Sequence, residues 1–161
     1  MKRIISILLV LTIMATLSAC LPSTKEEPAT VTDNYGNTAQ YTSYQIRSVY
    51  NENEAKFEDQ FVGAKITLTD TIYSIETTEK YFVGGIGDVG FYKITLKRSW
   101  EVLLVSSEHP EVIDLKKGDK IQVISKIDSS NSYDVILGDY SVYSSSLIGD
   151  STEITVIEKA N

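Results

Sequence analysis

One long β-strand candidate, residues 61–76, constrains the fold of this chain more than any other stretch. Ile66, Leu68 and Ile72 share one parity and threonines alternate with them, which is the pattern of a strand with one buried face. Ile75 has the opposite parity, so we expect a β-bulge near residues 73–74 that bends the strand. A long bent strand can pair with different partners at its two ends, which allows five strands to close a barrel.

Four further strand candidates follow. Residues 91–97 and 100–106 are predicted to form a hairpin across Arg98 and Ser99. A short helical turn that starts with Pro110 then leads into the last two candidates. These are residues 120–127 and 133–143, with a second bulge at Gly138-Asp139.

Residues 44–60 form the helix candidate that precedes the long strand. Ile46, Val49, Tyr50 and Phe57 follow helical spacing, and Asn53 interrupts the apolar stripe. Ser43 is the predicted N-cap. Acidic residues lie off the stripe, and we interpret them as a solvated helix face.

The loop between the first two barrel strands, residues 77–90, spells G-x-G-x-x-G at Gly85–Gly90. A dinucleotide site of this type needs a helix directly after the motif, because the helix N-terminus holds the pyrophosphate. A strand candidate follows instead, so we interpret the glycines as a mobile turn.

The first twenty residues have the organisation of an export signal. Lys2 and Arg3 precede an apolar run over residues 4–17, which is short for a membrane-spanning helix. Leu17-Ser18-Ala19-Cys20 ends this run. The stretch resembles the lipobox of bacterial lipoproteins, whose Cys is modified with diacylglycerol and becomes the mature N-terminus. The alternatives are an ordinary cleaved signal peptide with an incidental Cys and an uncleaved anchor.

This resemblance and the composition together predict the domain organisation. Residues 1–19 are a lipoprotein signal peptide, and residues 20–43 are the lipidated Cys20, carrying palmitate-type chains, and a disordered polar tether. Residues 44–145 are the folded domain, and residues 146–161 are a tail or an edge strand. The lipid places the protein at the cell membrane or the outer membrane, facing the extracytoplasmic side.

The order of elements is helix, long bent strand, long loop, hairpin, short helix, hairpin, which is the order of the OB fold. Residues 50–143 are also similar to small bacterial OB-fold proteins catalogued as tRNA-anticodon-like, many of them lipoproteins. The residues that carry the similarity are Tyr50, Asn53, Phe61-Val62-Gly63, Leu115-Lys116-Lys117-Gly118-Asp119 and Leu137-Gly138-Asp139-Tyr140. Phe57 and Gly63-Ala64 depart from the family pattern.

The similarity implies a mainly β protein with a five-stranded OB barrel and an N-terminal helix, and it implies no activity. The alternative architecture is another small β-barrel or a sandwich.

An OB fold binds ligands on the face of its second and third strands. The residues that we assign to this candidate ligand face are Tyr81, Phe82, Tyr92, Arg98 and Trp100. Aromatic rings beside a basic pair can stack on a sugar or a base. The favoured alternative is structural, with Tyr92 and Trp100 packed inside the barrel and Tyr81 and Phe82 capping it.

The net charge and the scarcity of His and Cys limit the classes of function that this chain can have. Loss of residues 1–19 removes Lys2 and Arg3 from the 15 basic residues and leaves 13 against 22 acidic ones, a net charge near −9. That charge argues against nucleic acid as a partner. His109 is the only His and is predicted to be a helix cap or surface residue, and Cys20 is the only Cys.

We therefore expect no enzyme activity, no metal and no cofactor. The sequence predicts a lipid-anchored envelope module that binds a protein or a glycan. The alternatives are an oligonucleotide-binding OB protein and a weak hydrolase.

Overall fold

The computed structural model describes residues 26–77, 81–83, 87–106, 108–138 and 152–161. The strands are β1 (Ala29–Thr32), β2 (Thr38–Tyr41), β3 (Lys65–Thr77), β4 (Tyr81–Val83), β5 (Gly87–Val89), β6 (Phe91–Leu96), β7 (Trp100–Val105), β8 (Lys120–Ser130), β9 (Val135–Leu137) and β10 (Glu153–Glu158). The helices are α1 (Ser43–Glu52), α2 (Glu54–Phe61) and a 3₁₀ helix (Pro110–Asp114).

Five of these strands close a barrel in the order β3-β6-β7-β9-β8 and back to β3. All neighbours are antiparallel except β7 and β9, which pair in parallel from Trp100 opposite Val135. If the five barrel strands are renumbered 1 to 5 along the chain, their order around the barrel is 1-2-3-5-4. The sheet is mixed, because one pair of neighbours is parallel. This is the topology of the OB fold, and it confirms the architecture predicted from the sequence.

The long strand β3 bends where the sequence predicts a bulge. Its first half, Lys65 to Thr71, pairs with β8, whereas its second half pairs with β6 and shifts register between Ile72 and Ser74. Burial alternates strictly from Lys65 to Ile72. The bulge therefore turns one strand from one wall of the barrel into the next.

The interior of the barrel is filled by inward-facing side chains from all five strands. Trp100 is its largest residue and is 1% exposed. The other fully buried large residues of the barrel strands are Ile66, Ile72, Ile94, Leu104, Ile121, Ile127 and Leu137. The barrel is thus a packed core and encloses no channel in this part of the chain.

The predicted single helix over residues 44–60 is two helices, which corrects the sequence-based prediction. Asn53 has an extended backbone (φ −162°, ψ 98°), and its side chain accepts a hydrogen bond from the N–H of Lys56. Asn competes with helical backbone bonding in this way and is a strong N-cap residue, so it ends α1 and starts α2. The first helix is capped by Thr42, with Gln45 completing a capping box, and not by Ser43.

An aromatic cluster joins the helices to the β-structure. Phe57 lies 5.4 Å from Tyr50 and 5.9 Å from Phe61, measured between ring centroids. Tyr41 of β2 meets Phe61 edge-on at 5.3 Å. Phe57 and Phe61 are buried, so the helix pair closes one side of the core.

The folded domain begins well before residue 44, which corrects the predicted extent of the tether. Within residues 26–43, β1 pairs with β2 and also with β3, where Val31 lies opposite Ile66. Ala29 and Val31 are buried, but they are small and lie in a polar segment, so composition alone suggested disorder. Residues 20–25 lie outside the described part of the chain.

The turn of this hairpin is fastened to the rest of the fold. Asp33 accepts hydrogen bonds from the backbone N–H groups of Tyr35 and Asn37. Asn34 donates from its side-chain amide to the carbonyl oxygens of Asp59 and Val62, at 3.0 and 2.8 Å. The hairpin turn thereby satisfies free carbonyls at the end of α2.

The C-terminal residues form an edge strand, which is one of the two predicted alternatives. β10 pairs antiparallel with β8, with Ile154 opposite Val123. Beyond it, Asp119 accepts hydrogen bonds from the Ala160 N–H at 2.8 Å and from Lys159 Nζ at 3.2 Å. The predicted fifth strand is observed as β9, and its continuation past residue 138 lies outside the described residues.

Candidate functional site

The outer face of β6 and β7 is the surface on which an OB fold binds its ligands, and only some of the predicted residues lie on it. Tyr92 has the same parity as the buried Ile94 and packs against the core, and Trp100 is fully buried. Trp100 therefore lies in the barrel interior, and the half-buried Tyr92 packs against that interior. This removes Trp100 from the candidate ligand face and matches the structural alternative that the sequence favoured.

The residues that do face outward in the middle of this surface form an ion pair. Lys93 Nζ lies 2.9 Å from Glu101 Oε2 across the two strands. The hydrogen bond to Glu101 raises the pKa of Lys93, although burial acts in the opposite direction. Lys93 therefore keeps its positive charge, but that charge is paired with the Glu101 carboxylate on the face where a polyanion would bind.

Arg98 lies in the turn between β6 and β7 and is held by two carboxylates. Its guanidinium Nη1 lies 3.9 Å from Asp70 Oδ1 and 3.7 Å from Glu27 Oε2. Its backbone N–H also donates to Asp70 Oδ2 at 3.0 Å. Asp70 is 3% exposed, and burial raises its pKa despite hydrogen bonds from Thr71 and Arg98. Arg98 is thus part of a structural charge cluster.

Tyr81 and Phe82 lie in β4, which pairs with β5 as a small two-stranded sheet. Tyr81 is opposite Val89 and Phe82 is opposite Asp88. The sheet is inserted between β3 and β6, where the sequence predicts a loop. β6 follows directly, so the observed context of the glycine motif is a strand and not a helix. Whether the two aromatic side chains cap the barrel or bind a ligand stays a prediction.

A groove of about 380 Å³ lies between α2 and the end of β8. Its lining residues are Tyr50, Glu54, Phe57, Glu58, Val62, Asp128, Ser129 and Ser130. Backbone pairing brings the two segments together, because the Gly63 N–H donates to the Ile127 carbonyl at 2.7 Å. The groove is rich in hydrogen-bond acceptors and negatively charged.

Sequence reasoning missed this groove. The sequence predicts Glu54 and Glu58 on a solvated helix face, and it predicts residues 128–130 in the polar loop between the last two strand candidates. Only the strand pairing places these distant segments side by side.

His109 precedes the 3₁₀ helix and is buried rather than on the surface, which corrects the prediction for its exposure. It is 6% exposed, and its Nδ1 lies 2.8 Å from Glu111 Oε1. Burial raises the pKa of Glu111, but the hydrogen bond and charge of His109, together with a hydrogen bond from the backbone of Glu111, lower the pKa overall. His109 occupies the N-cap position without a side-chain cap hydrogen bond.

Among the described residues, no group of three or more His, Cys, Asp or Glu side chains is arranged to hold a metal ion. In the same ranges, no helix has the length and apolar character needed to cross a bilayer. Cys20 lies outside these ranges, so its lipidation stays a prediction.

Comparison of the chain with protein-family models, with curated proteins and with solved structures gave no match.

Proposed function

We propose that this chain is a lipid-anchored, non-catalytic binding module with an OB fold, held on the outer side of a bacterial envelope membrane. The observation that carries the proposal is the position of Cys20. It directly follows a basic and apolar export signal and precedes the first strand of the barrel domain, β1 at Ala29, by only a few residues. A lipid at this position explains why an exported chain keeps a single Cys.

The chemistry of the described residues supports a binding role over a catalytic one. The only His is buried and contacts Glu111, an arrangement that serves to hold the 3₁₀ helix region in place. Nucleophilic catalysis needs an activated nucleophile beside its base. The chain has one Cys, which the proposal assigns to the lipid.

The partner we propose is a protein or a glycan. Lys93 and Arg98, two of the basic side chains on or beside the OB face, are both paired with carboxylates. That face therefore offers no free positive charge for phosphates at these two positions. Tyr81 and Phe82 remain the proposed ligand-contacting residues.

Lipidation is tested with the full chain expressed in a bacterial host. We expect the protein to partition into detergent, and mass spectrometry to find a diacylglycerol adduct on an N-terminal Cys20. Cys20→Ser should leave an uncut precursor or a protein in the aqueous phase. Ser23→Ala, three residues away, is the matched control and should behave as wild type. An unmodified mature N-terminus at another residue contradicts the proposal.

The partner is tested by crosslinking the lipidated protein in the membrane and recovering it. Proteins or glycans that are lost in the Tyr81→Ala/Phe82→Ala double variant support the proposed face. Tyr35→Ala, which removes an aromatic ring that is 61% exposed in the β1–β2 turn, is the control. Recovery of nucleic acid that dissociates with salt would favour the oligonucleotide-binding alternative instead.

A further inference from the structure

The segment before β1 is fixed to the folded domain by the side chains of Glu26 and Glu27. Glu26 Oε1 accepts a hydrogen bond from the backbone N–H of Ser43 at 2.6 Å. Glu27 pairs with Arg98, and β1 starts two residues later. The chain is therefore fixed to the domain from Glu26 onward. We name this place the entry corner, comprising residues 26–28, residues 43–44 and the β6–β7 turn at residues 97–99.

The distance from Cys20 to the entry corner is limited by the covalent chain. Glu26 is the sixth residue after Cys20. A chain spans at most about 3.6 Å per residue, so Glu26 lies within about 20 Å of Cys20 whatever the path between them. The longer tether predicted from composition would have let the domain stand away from the bilayer and turn freely.

We propose that the domain is held against the membrane with its entry corner toward the lipid headgroups. This inference rests on the proposed function, because it requires the lipid on Cys20. The occupant of this surface is the phospholipid bilayer into which the acyl chains insert. Two exposed side chains at the corner suit that environment, namely Tyr44, which is 68% exposed, and Lys97. Tyrosine rings and lysine ammonium groups are both favourable at the membrane–water interface.

The same orientation turns the β1–β2 hairpin turn away from the membrane. β1 runs away from the entry corner, and its hairpin turn at residues 33–37 lies about 13 Å further along, at about 3.3 Å per residue. Asn34 in that turn bonds to Asp59 and Val62, next to the groove residue Glu58. The end of α2 beside this turn therefore lies at the membrane-distal end of the domain.

The test uses the native lipidated full chain in phospholipid vesicles. The lipid occupies the only natural thiol, so one introduced Cys can be labelled uniquely with a fluorophore. Lys97→Cys places the label at the entry corner, and Lys56→Cys places it on an exposed position of α2 at the distal end. Tyr44→Cys is a second proximal site, in case a label at Lys97 perturbs the turn. With a quencher attached to lipid headgroups, we expect several-fold stronger quenching at both proximal sites than at the distal site.

A lengthened linker is the matched control. Insertion of about 20 Gly and Ser residues before Glu26 adds about 25 Å of flexible reach, and it should abolish the difference between the sites. Equal quenching at the proximal and distal sites of the native-length protein, with the acyl mass on Cys20 confirmed, overturns the orientation and leaves the lipoprotein proposal intact. Absence of that mass overturns both.

Discussion

Asp70 shows how a single buried carboxylate organises one corner of the barrel. It accepts hydrogen bonds from the backbone of Thr71 and Arg98 and faces the Arg98 guanidinium. The guanidinium also reaches Glu27, so the cluster connects β3, the β6–β7 turn and the segment that enters β1. A buried charge is tolerated here because its oxygen atoms are hydrogen-bonded and an opposite charge is near.

The raised pKa of Asp70 predicts a specific pH dependence. The folded protein holds this proton more tightly than the unfolded chain does. The protonated Asp70 carboxyl therefore contributes its full stabilisation below the pKa of Asp in the unfolded chain, near 3.9. This contribution is lost as the pH rises through the pKa of Asp70 in the folded protein. We expect the urea midpoint of the wild type, relative to Asp70→Asn, to decline as the pH increases from about 4. A constant difference across this range would contradict the prediction.

Asp119 provides a comparison of opposite sign. The N–H of Ala160 is the main group that lowers its pKa, opposed by burial and assisted by Lys116 and Lys159. The ionised Asp119 carboxylate stabilises the fold above the pKa of Asp in the unfolded chain. This stabilisation is lost as the pH falls through the pKa of Asp119 in the folded protein. The advantage of the wild type over Asp119→Asn should therefore shrink on acidification, measured by the same urea titrations.

Phe57 is the residue whose removal should weaken the helix–barrel contact most directly. Its ring is 1% exposed and contacts both Tyr50 and Phe61. We expect Phe57→Ala to lower the free energy of unfolding by about 3–5 kcal/mol, since a cavity replaces a well-packed ring. Tyr133→Ala, at a 76% exposed position, is the control and should change it by less than about 0.5 kcal/mol. Similar losses in the two variants would show that the helices do not pack as described.

At the scale of elements, the β1–β2 hairpin is part of the folding unit. It covers the edge of β3 that β6 leaves free and bonds through Asn34 to the end of α2. A protein that starts at Ser43 should therefore unfold at a lower urea concentration than one that starts at Glu26. Equal midpoints would show that the hairpin is an accessory to the domain.

A point variant tests the same hairpin without shortening the chain. Val31 is fully buried, and Val31→Ala should cost about 2 kcal/mol of stability, because two buried methyl groups are lost. Thr30 precedes it on the half-buried face of the same strand. Thr30→Ala should have a much smaller effect in the same urea titration.

At the scale of the whole molecule, charge decides which partners the barrel can accept. The chain is acidic, with a formal net charge of −7, and Lys93 and Arg98 on or near the OB face are paired with Glu101, Asp70 and Glu27. Affinity for a nucleic acid backbone comes largely from neutralised phosphates and released counterions. Side chains already engaged with carboxylates must lose those ion pairs before they bind phosphate.

We therefore predict that the mature domain does not bind single-stranded DNA or RNA measurably at about 150 mM salt. Fluorescence anisotropy with labelled oligonucleotides measures this. Glu101→Gln releases Lys93 from its ion pair, and this variant should bind weakly at low salt only. Micromolar binding by the wild type, steeply salt-dependent and lost in Arg98→Ala, would contradict the prediction.

Much of the fold could be predicted from local pattern. Alternation in residues 66–72 and the phase change at Ile75 predicted the long strand and its bulge, both confirmed in β3. Pro110 predicted the short helical turn. These features depend on side-chain periodicity and backbone restrictions within a few residues, so the sequence itself contains the relevant information.

Tertiary structure decided the features that depend on distant partners. The polar segment that contains Val31 becomes a strand only because β3 offers it a free edge and a place in the core. Trp100 and His109 are buried because neighbouring elements cover them, and the acidic groove exists because β8 ends beside α2. Local composition does not encode which edge is free or which segment lies opposite. Burial is a property of the assembled fold, whereas strand periodicity is a property of the chain.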